Sequence, residues 1–252
     1  MELLVIGSGA AYPDKPGTAS SCYVVSHEGT TLCLDIGQGA FAGLAGRLEP
    51  ADLAGVVISH LHSDHFVDLV ALRHYLRYEF APPRRLRVIA PAGLAGRLDG
   101  VTGEAGFAAG TLEIDDRAEG HLQVGPFDIE SRRVVHSADS FATRVTLAAA
   151  PGGPALVYSG DCGRAGDLAP LIRPGDVLLS EVAFGPGPVP VPDLHLDGAA
   201  VGRLAAQTGV SQVLLTHLQM RRDPAATIAA VRAEYSGPVL LASDGERIEI
   251  ES

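Results

Sequence analysis

Four possible metal ligands fall within six residues, His60-Leu-His62-Ser-Asp64-His65, where the apolar run Val56-Val-Ile-Ser59 gives way to a helical pattern. His60 and His62 are two apart, so in an extended segment they point the same way, whereas Asp64 and His65 lie where the chain turns and can face a second centre. Neutral imidazoles with a carboxylate suit zinc and similar divalent ions, and this arrangement offers ligands to two of them. Taken singly, each residue has a plainer role: Asp64 would cap the helix, and a lone His would sit on the surface or in the core. Two ions need more than four ligands, and further candidates stand at strand ends. His136 follows a strand over 131–135, Asp161 follows Val157-Tyr-Ser-Gly160, and His217 follows Val213-Leu-Leu-Thr216. Loops at one end of a sheet converge on sites in this way.

Placing these groups together requires strands that end at a common edge. Residues 3–6, 22–26, 31–35 and 56–59 are short β-branched or apolar runs separated by glycines, and predict a β meander. Apolar positions from Phe66 to Phe80 predict a helix over 64–80, stopped by Pro82-Pro83. A strand over 86–90 and a short helix over 91–98 follow. Residues 111–147 alternate in the antiparallel manner, with a turn at Gly125-Pro126. Strands over 155–159, 177–182, 213–216 and 239–242 and helices over 198–207 and 224–235 complete the chain. These blocks predict an α/β architecture of two sheets packed face to face with helices outside. No internal repeat and no separating linker divides residues 1–252, so one domain is expected; Gly185-Pro-Gly-Pro-Val-Pro-Val-Pro192 is a stiff loop.

Composition sets limits on partners. The chain has 252 residues, 46% of them hydrophobic, with 19 basic against 30 acidic side chains and a formal net charge of −11. That is ample for a buried core, and it argues against coating nucleic acid or anionic membrane through a broad basic face. Any anionic substrate must be held by a local positive feature. Cys22, Cys33 and Cys162 are an odd number without CxxC spacing, so neither a disulfide framework nor a zinc ribbon is indicated. The N-terminal segment lacks a basic leader, and no stretch approaches the ~20 apolar residues of a spanning helix. A soluble, cytoplasmic protein is expected.

With these residues in place, the sequence resembles the metallo-β-lactamase superfamily over its whole length. Asp35-Ile-Gly-Gln-Gly39 is similar to the first motif of that family and His60 to His65 to its HxHxDH, followed by His136, Asp161 in Ser-Gly-Asp and His217 in Leu-Leu-Thr-His. The resemblance implies a four-layer αβ/βα sandwich with two mixed sheets and two divalent ions per chain, zinc first, with manganese or iron as alternatives. His60, His62 and His136 would hold one ion, Asp64, His65 and His217 the other, and Asp161 would bridge them. Ser180-Glu-Val-Ala-Phe184 and Asp193-Leu-His195-Leu are similar to the Glu and His motifs of ribonuclease Z-like phosphodiesterases. The last sixty residues look most like atypical class II cyclic-nucleotide phosphodiesterases of actinobacteria and their YhfI-like relatives. A homodimer is implied on the same ground. Ribonuclease Z enzymes insert a tRNA-gripping arm between the third His and the bridging Asp; here only 25 positions separate His136 from Asp161, so the arm has no room.

The chemistry this implies is hydrolysis of phosphodiesters, 3′,5′-cyclic nucleotides foremost, by a hydroxide shared between the two ions and positioned by Asp64 and Asp161. His195, oriented by Glu181, is the candidate general acid; a structural His–carboxylate hydrogen bond is its alternative. Asp35 is expected to orient a ligand histidine, although Asp before Gly is also a common turn residue. Ser140 and Arg144 are candidates to touch phosphate, against an exposed strand Ser and a solvated Arg. Gly7-Ser-Gly9 lacks the third glycine of a dinucleotide loop and is read as a turn at the rim of the site. His27, His74 and His121 are ordinary surface or helix residues, and Cys162 a packed neighbour of Asp161. Three function classes follow: a hydrolase of small phosphodiesters, a ribonuclease Z-like tRNA 3′ endonuclease or a hydrolase of other esters, thioesters or lactams, and a non-catalytic metal-binding protein. A complete ligand set argues against the last, and the missing arm and acidic balance against nucleic acid.

Overall fold

The computed structural model describes residues 1–13 and 16–250. Alternating apolar residues build β1 (Glu2–Gly7), β2 (Cys22–His27) and β3 (Thr30–Leu34) into an antiparallel meander, followed by helix α1 (Ala40–Ala45). The meander then gives way to parallel pairing: β4 (Gly55–Val57) lies parallel to β3. Helices α2 (Ser63–Phe66) and α3 (Leu69–Tyr78) lead on to β5 (Leu86–Ala90), helix α4 (Leu94–Thr102) to β6 (Leu112–Asp116), and both strands extend the sheet in parallel.

The second sheet begins with the antiparallel strands β7 (Gly120–Val124), β8 (Phe127–Val134) and β9 (Ser140–Leu147). β10 (Leu156–Tyr158) is antiparallel to β9, and β11 (Val177–Glu181) is parallel to β10. Helix α5 (Gly198–Thr208), β12 (Gln212–Thr216), helix α6 (Pro224–Arg232) and β13 (Val239–Leu241) complete it, and β14 (Arg247–Glu249) returns to pair with β1. The two seven-stranded sheets run β14-β1-β2-β3-β4-β5-β6 and β13-β12-β11-β10-β9-β8-β7.

Both sheets are mixed, and three apolar layers hold them. Leu3, Val5, Leu32 and Val57 of the first sheet meet Phe127, Val145, Leu179 and Leu214 of the second in a shared middle layer. The outer face of the first sheet packs Leu44, Leu69 and Leu94 from the helices, and that of the second packs Val201, Leu204 and Val231. This is the expected αβ/βα sandwich. Among the described residues, no helix is long and apolar enough to cross a membrane.

Several elements differ from expectation: β4 lies parallel to β3 instead of extending the meander, and β6, inside the stretch 111–147 expected to be antiparallel, lies parallel to β5 in the first sheet. The helix predicted over 64–80 is two, because at Asp68 the backbone N–H turns aside to donate to the Ile36 carbonyl (3.2 Å). Helix α1 was not expected: Gly39 at its N-cap has no capping side chain, and Asp68 supplies the acceptor, taking a hydrogen bond from the Phe41 N–H at 2.8 Å. Strand β14 is too short to carry a sequence signal of its own.

Candidate metal centre

β4 hands its chain to the bent segment 58–62, and α2 starts at Ser63 with His62 in extended backbone at its N-cap. Asp64 lies inside the first turn of α2, and no side chain caps that helix. Gly37 is required for this arrangement: a Cβ there would fall 1.9 Å from the Asp64 carbonyl oxygen, so only glycine lets the 35–39 turn pass beneath the histidine segment. The Ile36 N–H then donates to the His65 carbonyl at 2.8 Å and fixes the two segments to each other. From the other sheet, His136 follows β8, Asp161 follows β10 and His217 follows β12. Each set thus leaves its sheet at the strand ends on one side of the sandwich.

Two clusters result, His60, His62, His136 with Asp161, and Asp64, His65 with His217, and within each the ligand atoms lie within 4.8 Å of one another. His60 Nε2 and His136 Nε2 stand 3.0 and 3.3 Å from His62 Nδ1. Asp161 divides its carboxylate between the clusters. Oδ2 lies 3.7 Å from both His60 Nε2 and His136 Nε2, and Oδ1 lies 3.4 Å from His65 Nε2 and 3.3 Å from His217 Nδ1. Asp64 Oδ2 is 3.5 Å from Nε2 of His65 and 3.5 Å from Nε2 of His217.

The outer hydrogen bonds decide which ring nitrogens are free. His136 Nδ1–H donates to the Leu194 carbonyl (2.7 Å), and His65 Nδ1–H to Asp35 Oδ2 (2.7 Å). Asp35 also accepts from the Ser59 N–H (2.6 Å), the Ser59 hydroxyl (2.7 Å) and the Tyr158 hydroxyl (2.7 Å). Because the single Ser59 hydroxyl proton goes to Asp35, Ser59 Oγ accepts from His60 Nδ1–H at 3.1 Å. When neutral, each of these three rings therefore presents a bare Nε2 inward.

These residues fit divalent cations. His65 Nε2, Asp161 Oδ1 and His217 Nδ1 are buried and make no hydrogen bond, a costly arrangement unless a cation completes it. Burial pushes His60, His62 and His136 below the ordinary histidine value, keeping them neutral as ligands must be. Burial alone would lower His65 too, but Asp161 and Asp35 draw positive charge to it and raise it well above that value. Burial likewise works to raise Asp161 and Asp64. The charges of His217 and His65 overcome it for Asp161 and those of His65 and His217 for Asp64, so both are held ionised. Asp35 and His217 both adopt a left-handed backbone with φ of 57°, a strain that persists where the surroundings over-determine it.

His195 adjoins these clusters. Its Nδ1–H donates to Glu181 Oε1 at 3.1 Å and lies 3.8 Å from Asp161 Oδ2. Burial opposes protonation, but the hydrogen bond and charge of Glu181 outweigh it and raise the imidazole above its usual value. The buried Glu181 carboxylate also accepts from the N–H groups of Cys162, Leu196 and Ala183 at 3.2, 3.1 and 2.8 Å. A cleft of about 260 Å³ opens over the site, with Tyr12, His62, Asp64, Asp161, His195 and His217 in its walls.

Two residues expected to touch phosphate are committed to the fold instead. Arg144 is buried midway along β9 and points away from the site: its guanidinium makes a double hydrogen bond to Asp176 (2.8 and 2.9 Å), the residue before β11 and so opposite the end that carries Glu181. Ser140 is at the site but is fully committed to it: the buried hydroxyl donates to the Asp161 carbonyl at 2.8 Å and fixes that turn. Sequence reasoning missed Ser59, Tyr158 and Arg117. Buried Arg117 donates to the Ile58 carbonyl (2.8 Å), to Ser131 Oγ and to Thr143 Oγ1, tying the sheets together beneath the histidines. None stands in a motif: Tyr158 ends an apolar strand, and Ser59 and Arg117 follow strands with nothing local to mark them.

Residues 33–218 match the beta-lactamase superfamily domain. The chain is 33% identical over 244 residues to the uncharacterized protein Rv1339 of Mycobacterium tuberculosis, covering 94% of this chain and 87% of that one. It is 24% identical to a ribonuclease Z of Myxococcus xanthus, covering 99% of this chain and 98% of that protein. The crystal structure of the metallo-beta-lactamase fold protein YhfI from Bacillus subtilis superposes with a TM-score of 0.86 at 23% identity, over 98% of this chain and 99% of that chain. With the family model matching most of its length, the chain belongs to the beta-lactamase superfamily.

Proposed function

We propose that this protein is a metal-dependent hydrolase of small phosphodiesters, with 3′,5′-cyclic nucleotides as its leading substrates. The observation that carries this reading is the buried Glu181–His195 pair set against Asp161 at the mouth of the metal centre. A departing alkoxide needs a proton, which this pair is placed to give and which a thiolate leaving group would not require.

Two divalent ions held by His60, His62, His136, Asp64, His65, His217 and the shared Asp161 would supply a water of lowered pKa and neutralise phosphoryl charge. Zinc suits this nitrogen-rich set best. The chain's own groups do the rest. Asp35, Ser59 and the Leu194 carbonyl fix the ring tautomers, so the ligand nitrogens stay aimed inward. Asp64 and Asp161 remain ionised and accept hydrogen bonds from the attacking water. His195 spends Nδ1–H on Glu181, which leaves Nε2 to carry the proton for the leaving oxygen. As the water oxygen bonds to phosphorus and the ester P–O bond breaks, that proton passes to the departing ribose oxygen, and the water's own proton is released.

A second reading, cleavage of tRNA 3′ ends, is favoured by the similarity to the Myxococcus ribonuclease Z. Against it, β9, β10 and their connections consume all of the chain between His136 and Asp161, so no arm projects from that segment to grip tRNA. Metal analysis combined with turnover of cAMP, bis-p-nitrophenyl phosphate, precursor tRNA, a thioester and a β-lactam tests the choice. Turnover of cAMP with about two metals per chain is the expected result. Hydrolysis of the thioester or the lactam alone would overturn the reading, and cleavage of precursor tRNA alone would replace it with the second.

A further inference from the structure

A second cavity, of about 200 Å³, lies beside the metal cleft, and the side chain of Gln219 lines both. The wall between them is fixed by the backbone bridge of Gly9 to Leu218. Leu218, Met220 and Leu241 supply apolar surface, and Gln219 and Arg222 supply polar groups. Neither polar side chain is used by the fold: among the described residues the Gln219 amide makes no hydrogen bond, and the Arg222 guanidinium has no oxygen acceptor. The other arginines lacking one (Arg77, Arg97, Arg132 and Arg221) are exposed on the surface, whereas Arg222 is half-buried and held in place. Its stem fills the space over Gly185, where a Cβ would meet Arg222 Cβ at 2.8 Å. Its guanidinium carbon lies 5.9 Å from the Phe184 ring centre, and the same ring meets His195 edge-on at 5.2 Å.

This combination suits a planar heterocycle. Bases are gripped by apolar contact, by stacking on aromatic or guanidinium planes, and by amide side chains that read their edges. A second anionic group fits less well, because the Asp244 carboxylate also lines the cavity. Asp244 is fully engaged, accepting from the Ser8 N–H (2.9 Å), the Ser8 hydroxyl (2.7 Å) and the Ala19 N–H (2.8 Å), so its charge is a fixed part of the wall.

We infer that this cavity receives the base of a nucleotide whose phosphodiester lies at the metal centre, with Gln219 reading the base edge and Arg222 lying against its face. The inference rests on the phosphodiesterase reading above and names the half of the substrate that the metal ligands do not touch.

The test joins direct binding to kinetics. Adenosine, which carries no phosphate, is titrated by calorimetry into native protein and into Gln219→Ala, Arg222→Met and Arg222→Lys, each checked for an unchanged melting temperature. Adenosine is expected to bind the native protein and to bind Gln219→Ala and Arg222→Met about tenfold more weakly. For the same variants the ratio of kcat/KM for cAMP to that for bis-p-nitrophenyl phosphate, which has no base, is expected to fall about tenfold, chiefly through KM. Arg222→Lys keeps the charge but loses the plane, and should behave like Arg222→Met. Absence of adenosine binding to native protein, equal losses for both substrates, or full retention by Arg222→Lys would each overturn the base site. Adenosine binding that depends on Arg222, without turnover of any phosphodiester, would keep the site and refute the phosphodiesterase reading instead.

Discussion

Replacing His62 removes the imidazole whose Nδ1 stands 3.0 and 3.3 Å from the Nε2 atoms of His60 and His136, so His62→Ala should lose one bound metal and nearly all turnover. Its circular dichroism should stay native, because the ring is only half-buried. His195→Ala should keep both metals and lose about 10²–10⁴ in kcat, the usual worth of a positioned general acid. The proton on His195 also gives a signed pH prediction. Glu181 raises the imidazole above its ordinary value, so the acid form survives to higher pH than a free histidine's would. In Glu181→Gln the alkaline limb of the kcat/KM profile should therefore move to lower pH; an unmoved or raised limb would exclude His195 as the acid.

At the scale of elements, the Arg144–Asp176 pair joins β9 to the start of β11, and both partners are buried. Asp176→Ala leaves a buried charge unpaired and should cost about 3–5 kcal/mol in chemical denaturation. KM for cAMP should be unchanged in the protein that remains folded, because the pair lies at the end of the sheet away from the metal centre. The loop that carries His195 has its own clamp, the exposed ion pair of Arg164 with Asp193 at 2.7 Å. Its hydrogen bond to Arg164 holds the Asp193 carboxyl below the usual carboxylate range, so the clamp is in place above about pH 4 and is lost as pH falls further. Asp193→Ala should speed amide exchange across residues 186–194 at neutral pH, with the sheets unaffected.

For the whole molecule, the metal centre is a cross-link between the two sheets. His60, His62, Asp64 and His65 come from the first, and His136, Asp161 and His217 from the second. Cations that bind only the folded arrangement stabilise it by mass action, by about 2.7 kcal/mol at a hundredfold excess over Kd. Chelation should accordingly lower the melting temperature, and added zinc should restore it in a concentration-dependent way. The −11 charge of the chain acquires a location in the same light: buried Asp35, Asp64, Asp161 and Glu181 gather four carboxylates at one point, where divalent ions offset them and give an anionic substrate somewhere to bind.

The sequence by itself determined what was local. Residue type and strand-end position picked out seven candidate ligands, because the chain leaving a strand carries its next side chains to the edge of the sheet, and the resemblance to ribonuclease Z-like phosphodiesterases supplied the Glu181–His195 pair. The layer order was legible because each apolar face requires a partner. What depended on partners far along the chain was decided only in three dimensions. Asp35 meets Tyr158 across 123 positions, and α1 is capped by Asp68, 27 positions beyond Phe41. Arg144 follows His136 by eight residues, yet midway along β9 it points away from the site, where Asp176 neutralises it. Which oxygen of Asp161 faces which cluster, and the second cavity behind the Gly9–Leu218 bridge, arise from stacking one sheet on the other. Hydrogen bonds and ion pairs act over a few ångströms, and only the stacked sheets bring such distant residues that close.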